Sequence, residues 1–196
     1  MTGLLHGNLR ERSAAAHREV EAHPLLRDLL QPTLTRAHYV TVLSAFLGWY
    51  ATLEAWLRPA ADALSARWTP CAWRYRPRVP ALERDLAQLC DRTDVLAAPP
   101  LACASGASAL IGVLYVVEGS SLGGRVIAGR VRASLGPSVP VGHFLAPGSA
   151  SWPAFLDMIG THGSRLDAGR AVSADCMTFE HLRQHLDACR QGVLHA

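Results

Sequence analysis

The stretch LYVVEGSSLGGRVI, residues 114–127, decides the fold because it places three glycines inside an apolar helical segment. That segment extends from Leu101 to about Ser134, and Gly136–Pro137 closes it. Three glycines cost roughly 3 kcal/mol relative to alanine in a regular helix, so this pattern needs a reason. A kink, close packing of another helix and close approach of a ligand all fit. A phosphate-binding turn does not, because no strand precedes the stretch and no GKS or GxGxxG pattern is present.

Helical periodicity continues on both sides of this segment and predicts an all-α fold. Apolar residues at steps of three and four predict a helix from Leu5 to about Glu21. A second helix is expected to start after Thr35, an N-cap residue type, and to run to about Leu57, with Pro59 ending it or opening the next turn. The other expected elements are a loop over 68–80, a short helix from Pro80 through Leu89, a loop over 136–150 with a weak strand candidate at 139–144, a helix capped by Ser151 and a last helix capped by Ser173 that ends near Gly192.

Composition predicts one globular domain over residues 1–196, because 49% of the residues are hydrophobic and only 18% are charged. All 19 basic residues are arginine and the net charge is +3, without the dense basic stripe that nucleic-acid binding needs. We expect no membrane span and no signal peptide, and therefore a cytoplasmic protein. The five cysteines are widely spaced, without a CxxCH or zinc pattern, and are expected to be reduced core thiols.

His17 and Glu21 form the second notable pattern, in LRERSAAAHREVE, residues 9–21. Residues four apart share a helix face, so Glu21 could hold one ring nitrogen of His17 and leave the other for a metal. Small residues at positions 14–16 would let a bulky planar ligand approach. The alternative is an ordinary exposed ion pair, and spacing alone leaves both interpretations open.

Together these segments resemble the bacterial haem oxygenase family, including the members that serve bacteriophytochromes. Residues 114–127 resemble the family's distal-helix motif, residues 9–21 its proximal helix, and SADCMTFEHLRQHL, residues 173–186, its last helix. The resemblance covers most of the chain. It implies a multi-helical fold with haem held between a proximal helix and a kinked distal helix. It also implies an oxidoreductase that cleaves haem to biliverdin, Fe2+ and carbon monoxide, with haem as both cofactor and substrate.

On the proximal side the resemblance implies that His17 is the iron ligand and that Glu21 is its hydrogen-bond partner. Arg10 and Tyr115 match positions that contact the haem propionates in relatives. Arg10 lies two helical turns before His17, and its guanidinium can grip a carboxylate. Phe179 matches a residue of the pocket wall.

On the distal side the resemblance implies that the backbone at Gly119 and Gly123 touches the haem, and that Gly124 belongs to the same haem-binding stretch. Ser120 stands where some relatives carry an aspartate that organises distal water, so ordered water near Ser120 is expected to deliver protons. Arg125 replaces a glutamine of many relatives, and Arg130 is a further propionate candidate. Electrons must come from outside, because the sequence has no flavin or NAD motif.

The implied partners are O2, an external electron donor such as a ferredoxin or a reductase, and a bacteriophytochrome that accepts biliverdin. The remaining histidines are expected at the surface or at helix caps: His6, His23, His38, His143, His162, His181, His185 and His195. Three other functions stay open at this point. They are a haem carrier or sensor on the same fold, a thiaminase-like enzyme, which would need a cysteine nucleophile beside carboxylates, and a helical interaction module in which the glycines serve packing.

Overall fold

The computed structural model describes residues 4–69, 71–90, 94–102, 105–146, 148 and 150–194. Within these ranges the chain is α-helical and contains no β-strand, which confirms the all-α prediction. The helices are α1 (Leu4–Arg12), α2 (Ala14–Glu21), α3 (Pro24–Arg27), α4 (Arg36–Arg67), α5 (Val79–Leu89), α6 (Ala107–Gly119), α7 (Ser121–Leu135), α8 (Gly142–Leu145), α9 (Ser151–His162) and α10 (Ala168–Leu194). Short 3-10 turns follow α3 and α9.

The fold is built around the pairing of α6 with α10, which make the most extensive contact between any two of these helices. The N-terminal helices α1 and α2 pack on α10, while α9 packs on α1 and α6. On the other side α4 packs on α5, and the short α8 lies against both α5 and α7. The proximal segment α1–α2 and the glycine-rich segment α6–α7 are therefore held on a common helical core.

Several predicted boundaries are confirmed and others are wrong. Thr35 caps α4 as predicted, since its side chain accepts a hydrogen bond from the His38 amide. However, α4 continues through Pro59 to Arg67. Pro59 is exposed, and Ala61 and Leu64 extend the buried face of the helix beyond it. Burial of that face offsets the backbone hydrogen bond that proline removes.

The later caps also differ from the prediction. The cap of α9 is Ala150, and Ser151 is instead the first helical residue. The last helix begins at Ala168, five residues before Ser173. The weak strand candidate at 139–144 is wrong, because residues Gly142–Leu145 form α8.

Two apolar helical segments, Arg36–Arg67 and Ala107–Leu135, are long and apolar enough to cross a membrane, with mean hydropathies of 1.3 and 1.4. This differs from the expectation that no run is long enough. In the fold, 56% of the apolar stretch of the first segment and 50% of that of the second are buried, as in core helices of globular proteins.

Close approach of α6 to α10 depends on Gly112. A Cβ atom at this position would lie 2.1 Å from the Ala171 carbonyl oxygen and 2.9 Å from the Asp175 amide nitrogen. Both atoms belong to backbone, so neither can move aside as a flexible side chain could. Glycine at this position is therefore a packing requirement.

Replacing Gly112 by alanine is expected to destabilise the protein by about 1–3 kcal/mol, because the helices must separate to admit the methyl group. Gly129, on α7, has nothing within 4 Å of the same added atom. Gly129→Ala is therefore the matched control and should stabilise the protein by roughly 0.5–1 kcal/mol through helix propensity alone. Urea unfolding of both variants measures the difference, and equal effects would contradict the packing role.

Candidate functional site

The proximal side of the site is a histidine on α2 paired with the carboxylate one turn further on. His17 Nδ1 lies 3.4 Å from Glu21 Oε2, and the two side chains are 52% and 65% exposed. The His17 ring meets the Phe179 ring edge-on, with centroids 5.4 Å apart. Because Nδ1 faces Glu21, Nε2 lies on the opposite side of the ring and can serve as a ligand atom. The ring contact with Phe179 links this pair to α10, and an isolated surface ion pair would have no such contact.

One helical turn away from this pair lies a buried carboxyl group. Asp175 precedes Phe179 by one turn on α10, and Ser13 precedes His17 by one turn. Asp175 is fully buried, and neither carboxyl oxygen makes a well-formed hydrogen bond within the described ranges. The Ser13 hydroxyl beside it donates to the Leu9 carbonyl. Burial raises the pKa of Asp175 to about 7, and Ser13 only partly offsets this rise.

Tyr115 connects the core to the glycine-rich segment. It lies on α6 one turn before Gly119, and its hydroxyl oxygen is 3.1 Å from His6 Nδ1 on α1. The Trp152 ring of α9 packs on Tyr115 with centroids 5.2 Å apart. Trp152 also covers Gly119, since a Cβ atom there would lie 3.6 Å from its ring. Burial raises the pKa of Tyr115 to about 12, so the hydroxyl stays protonated at neutral pH.

Two neighbouring glycines of the distal segment have different surroundings. A Cβ atom at Gly123 would have nothing within 4 Å, so the helix is open there. Leu122 and Val126 lie near it on α7 and are 61% and 62% exposed, which leaves an apolar surface uncovered. At Gly124 the same atom would lie 2.3 Å from the Phe144 carbonyl oxygen. Gly124 is therefore needed for packing against α8, and its predicted haem contact stays a prediction.

The helix is interrupted at Ser120, between the end of α6 and the start of α7, and we call this interruption the kink. The Ser120 hydroxyl donates to the Val117 carbonyl over 2.8 Å, and the Ser121 hydroxyl donates to the Glu118 carbonyl over 2.6 Å. Both serines therefore bond to carbonyls of the preceding helical turn, a local pattern that competes with regular helical bonding. Ser120 is exposed; burial raises the pKa of the buried Tyr50, and Ser120 partly opposes that rise.

A network of buried charged side chains packs next to the kink. Arg78 Nη2 lies 3.5 Å from Glu118 Oε1, and both side chains are almost fully buried. Glu118 also accepts a hydrogen bond from the Ser151 hydroxyl. Glu54 accepts hydrogen bonds from the Arg78 amide and from the Tyr75 hydroxyl. Removing either partner of such a buried pair leaves an uncompensated charge, which is strongly destabilising.

The structure thus brings the predicted site residues into two groups. His17, Glu21 and Phe179 form the proximal group, while Tyr115 and Gly119 share the Trp152 contact. Arg10 is exposed on α1, where its charge acts on His6 and on Tyr115. Arg125 and Arg130 are exposed on α7.

Sequence reasoning missed several residues of the site, namely His6, Tyr50, Arg78, Leu122, Val126, Trp152 and Asp175. Only Leu122 and Val126 carried a local signal, since they lie three and seven residues after Gly119 and so share its helix face. The others reach the site through contacts between distant segments.

The remaining histidines were predicted to lie at the surface or at helix caps, and the structure bears this out only in part. His23 caps α3 by accepting a hydrogen bond from the Leu25 amide, as predicted. His143 and His185 are buried, so their surface assignment is wrong. Burial lowers the pKa of His143 to about 3. Cys103 and His195 lie outside the described residues.

Comparison with known proteins points to one family. The family model described as heme oxygenase matches residues 4–136. A heme oxygenase of Xanthomonas campestris pv. campestris is 53% identical over 60 residues, which span 31% of this chain and only about a third, 34%, of that relative.

Two solved structures share the fold. The heme oxygenase of Leptospira interrogans superposes with a TM-score of 0.69 at 17% identity, covering 94% of this chain and 98% of that one. Heme oxygenase-1 of the cyanobacterium Synechocystis, solved in complex with heme, gives a TM-score of 0.69 at 15% identity, covering 97% and 94%.

The buried Asp175 predicts a specific pH dependence of folding. Its pKa is higher in the folded protein than in the unfolded chain, so the folded state binds the extra proton between about pH 4 and pH 7. Stability therefore falls as pH rises through this range, by on the order of 4 kcal/mol from this group. Asp175→Asn should remove that slope, whatever constant cost the amide adds.

Denaturant unfolding of the haem-free protein at a series of pH values measures the slope. Asp62→Asn, at an exposed position on α4, is the matched control and should leave the pH dependence unchanged. The same slope in wild type and Asp175→Asn would contradict the burial argument.

Proposed function

The chain belongs to the haem oxygenase family, and we propose that it binds haem as its substrate and opens the ring to biliverdin, releasing Fe2+ and carbon monoxide. The observation that carries this proposal is the setting of His17. Its Nδ1 faces Glu21 while its ring packs on Phe179, so Nε2 is presented by a ring held in one orientation. A neutral imidazole oriented by a carboxylate is the usual form of a histidine that ligates a metal.

Two further surfaces have the chemistry that a flat, largely apolar ligand with anionic side chains requires. Leu122 and Val126 expose apolar surface on the same helix as the open position at Gly123. Arg10 is exposed within electrostatic reach of Tyr115, so a guanidinium and a hydroxyl donor can meet carboxylates together. We assign His17 to the iron, Phe179 to the pocket wall, and Arg10 with Tyr115 to the propionates.

The distal helix supplies close backbone approach and polar groups near the kink. Without a side chain, Gly123 admits the substrate close to the helix backbone, whereas at Gly119 the place of a side chain is covered by Trp152. The haem iron, when bound, activates O2 next to the ring that is opened. Ser120 donates its own proton to the Val117 carbonyl, so its oxygen can accept a hydrogen bond from water. We propose that Ser120 and Tyr50 hold the water that supplies protons there.

Arg78 and Glu118 act on this side by holding the kink. Arg78 Nη2 also donates to the Val117 carbonyl, the same acceptor that Ser120 uses. The buried pair therefore fixes where the Ser120 hydroxyl lies, and it does so without contacting the substrate.

The partners and the compartment are further parts of the proposal. The chain has no flavin or nicotinamide motif, so electrons would come from a ferredoxin or a reductase, and O2 is the co-substrate. A bacteriophytochrome is the proposed acceptor of biliverdin. Cys71, Cys176 and Cys189 are unbridged thiols, which favours the reducing cytoplasm.

Replacing His17 by alanine is expected to abolish biliverdin formation, because the iron loses its protein ligand. The measurement adds haem and then ascorbate in air, and follows loss of the Soret band and growth of the biliverdin band. Glu21→Gln should slow the reaction about tenfold or more by loosening the histidine. Glu19→Gln, on the exposed part of the same helix, is the control and should react normally.

Two results of that assay would contradict the proposal. Near-normal biliverdin formation by His17→Ala would exclude His17 as the iron ligand. A stable oxygenated haem spectrum in the wild-type protein would instead indicate a carrier or sensor.

Adding a side chain at Gly123 tests the distal surface. Gly123→Val should leave folding intact, since the position has no neighbours, but should reduce haem binding or turnover by filling the space next to the helix. Gly129→Val, two turns along the same helix and equally open, is the control for any loss of helix propensity. Equal haem degradation by the two variants would contradict the assignment of Gly123 to the surface that contacts haem.

A further inference from the structure

His6 and Tyr115 form a hydrogen-bonded pair where three helices meet. The Tyr115 hydroxyl of α6 lies 3.1 Å from His6 Nδ1 of α1, and the ring centroids are 5.8 Å apart. The Trp152 ring of α9 lies edge-on to His6 at 6.2 Å and to Tyr115 at 5.2 Å. Contacts from α9 and α6 therefore hold the imidazole in place.

The charges around this pair come from two sides. Arg10 follows His6 by one turn on α1, and together with burial, the larger effect, it lowers the pKa of His6. From α10 the Asp175 carboxyl acts on Tyr115 and adds to the rise in the tyrosine pKa that burial causes, while Arg10 opposes that rise. Trp152, the contact from α9, carries no charge. In the haem-free protein His6 is thus biased towards its neutral form.

The hydroxyl of Tyr115 has a single hydrogen, and its direction depends on His6. When His6 Nδ1 carries no proton, the hydroxyl must donate to it and has nothing left for another acceptor. When Nδ1 is protonated, it donates to the tyrosine oxygen, and the hydroxyl hydrogen can turn to a second acceptor. A carboxylate bound by the nearby Arg10 would be such an acceptor and would also attract a positive charge to His6.

We propose that His6 is a positioning residue for the haem carboxylates: protonated on Nδ1, it turns the Tyr115 hydroxyl towards a carboxylate that Arg10 also binds. This inference rests on the proposed function, because it takes haem as the ligand. It adds a proton to the binding reaction, taken up by His6 from solvent as haem enters.

The sign of the pH dependence follows from this coupling. A bound carboxylate raises the pKa of His6 above its value in the haem-free protein. The contribution of His6 to haem affinity is therefore fully present at pH values below the pKa of His6 in the haem-free protein. It is lost as pH rises through the higher pKa that His6 has in the haem-bound protein.

The test measures haem binding and proton uptake together, by calorimetry in buffers of different ionisation enthalpy around neutral pH. Wild type should take up a fraction of a proton more than His6→Gln. His6→Gln and Tyr115→Phe should each weaken haem binding about tenfold, and the double variant should lose little more, because both remove one interaction. His38→Gln, at a histidine that bonds the Leu25 carbonyl, is the control.

A second probe separates this role from a general effect on folding. Haem dimethyl ester has no carboxylates, so wild type and His6→Gln should bind it equally. Equal proton uptake by wild type and His6→Gln, additive losses in the double variant, or the same loss with the ester would each overturn the inference. Failure of the wild-type protein to bind haem would instead overturn the proposed function.

Discussion

The buried Glu118 carboxylate is the constraint on which the rest of the site depends. It lies one residue before Gly119, between Arg78 at the start of α5 and Ser151 at the start of α9. A buried charge without its partners costs several kcal/mol, so these three segments must stay together for the protein to fold. The kink is consequently fixed by the core and not by the glycines alone. Glycine is compatible with an interruption of the helix, and Arg78 and Ser151 hold the carboxylate that lies next to it.

The proximal and distal sides are linked through α10. Gly112 lets α6 approach the backbone of α10 at Ala171 and Asp175, while one turn further on Phe179 packs on His17. The histidine is therefore positioned by the same helix against which α6 is packed. Such an arrangement holds His17, the proposed iron ligand, and the glycine-rich helix on one common helix, as the proposed binding of a planar substrate between them would require.

Local sequence signals predicted the helices, the Thr35 cap and the His17–Glu21 pairing, because each depends on residues a few positions apart. The kink was only one of several explanations for the glycines, and the family resemblance implied it. The local signals failed at Pro59, where burial of the α4 face outweighs the lost hydrogen bond, and they did not show that Gly124 packs closely against α8. Arg78, Trp152 and His6 were missed because their partners lie dozens of residues away. Only the folded chain brings them together.

Ligation of iron by His17 is the claim on which the account stands. Electron paramagnetic resonance of the ferrous nitrosyl complex tests it directly, because a nitrogen ligand opposite NO splits the signal further. The account predicts this histidine splitting in the wild-type protein and its loss in His17→Ala. A five-coordinate nitrosyl spectrum in the wild-type protein, or histidine splitting that survives in His17→Ala, would contradict it.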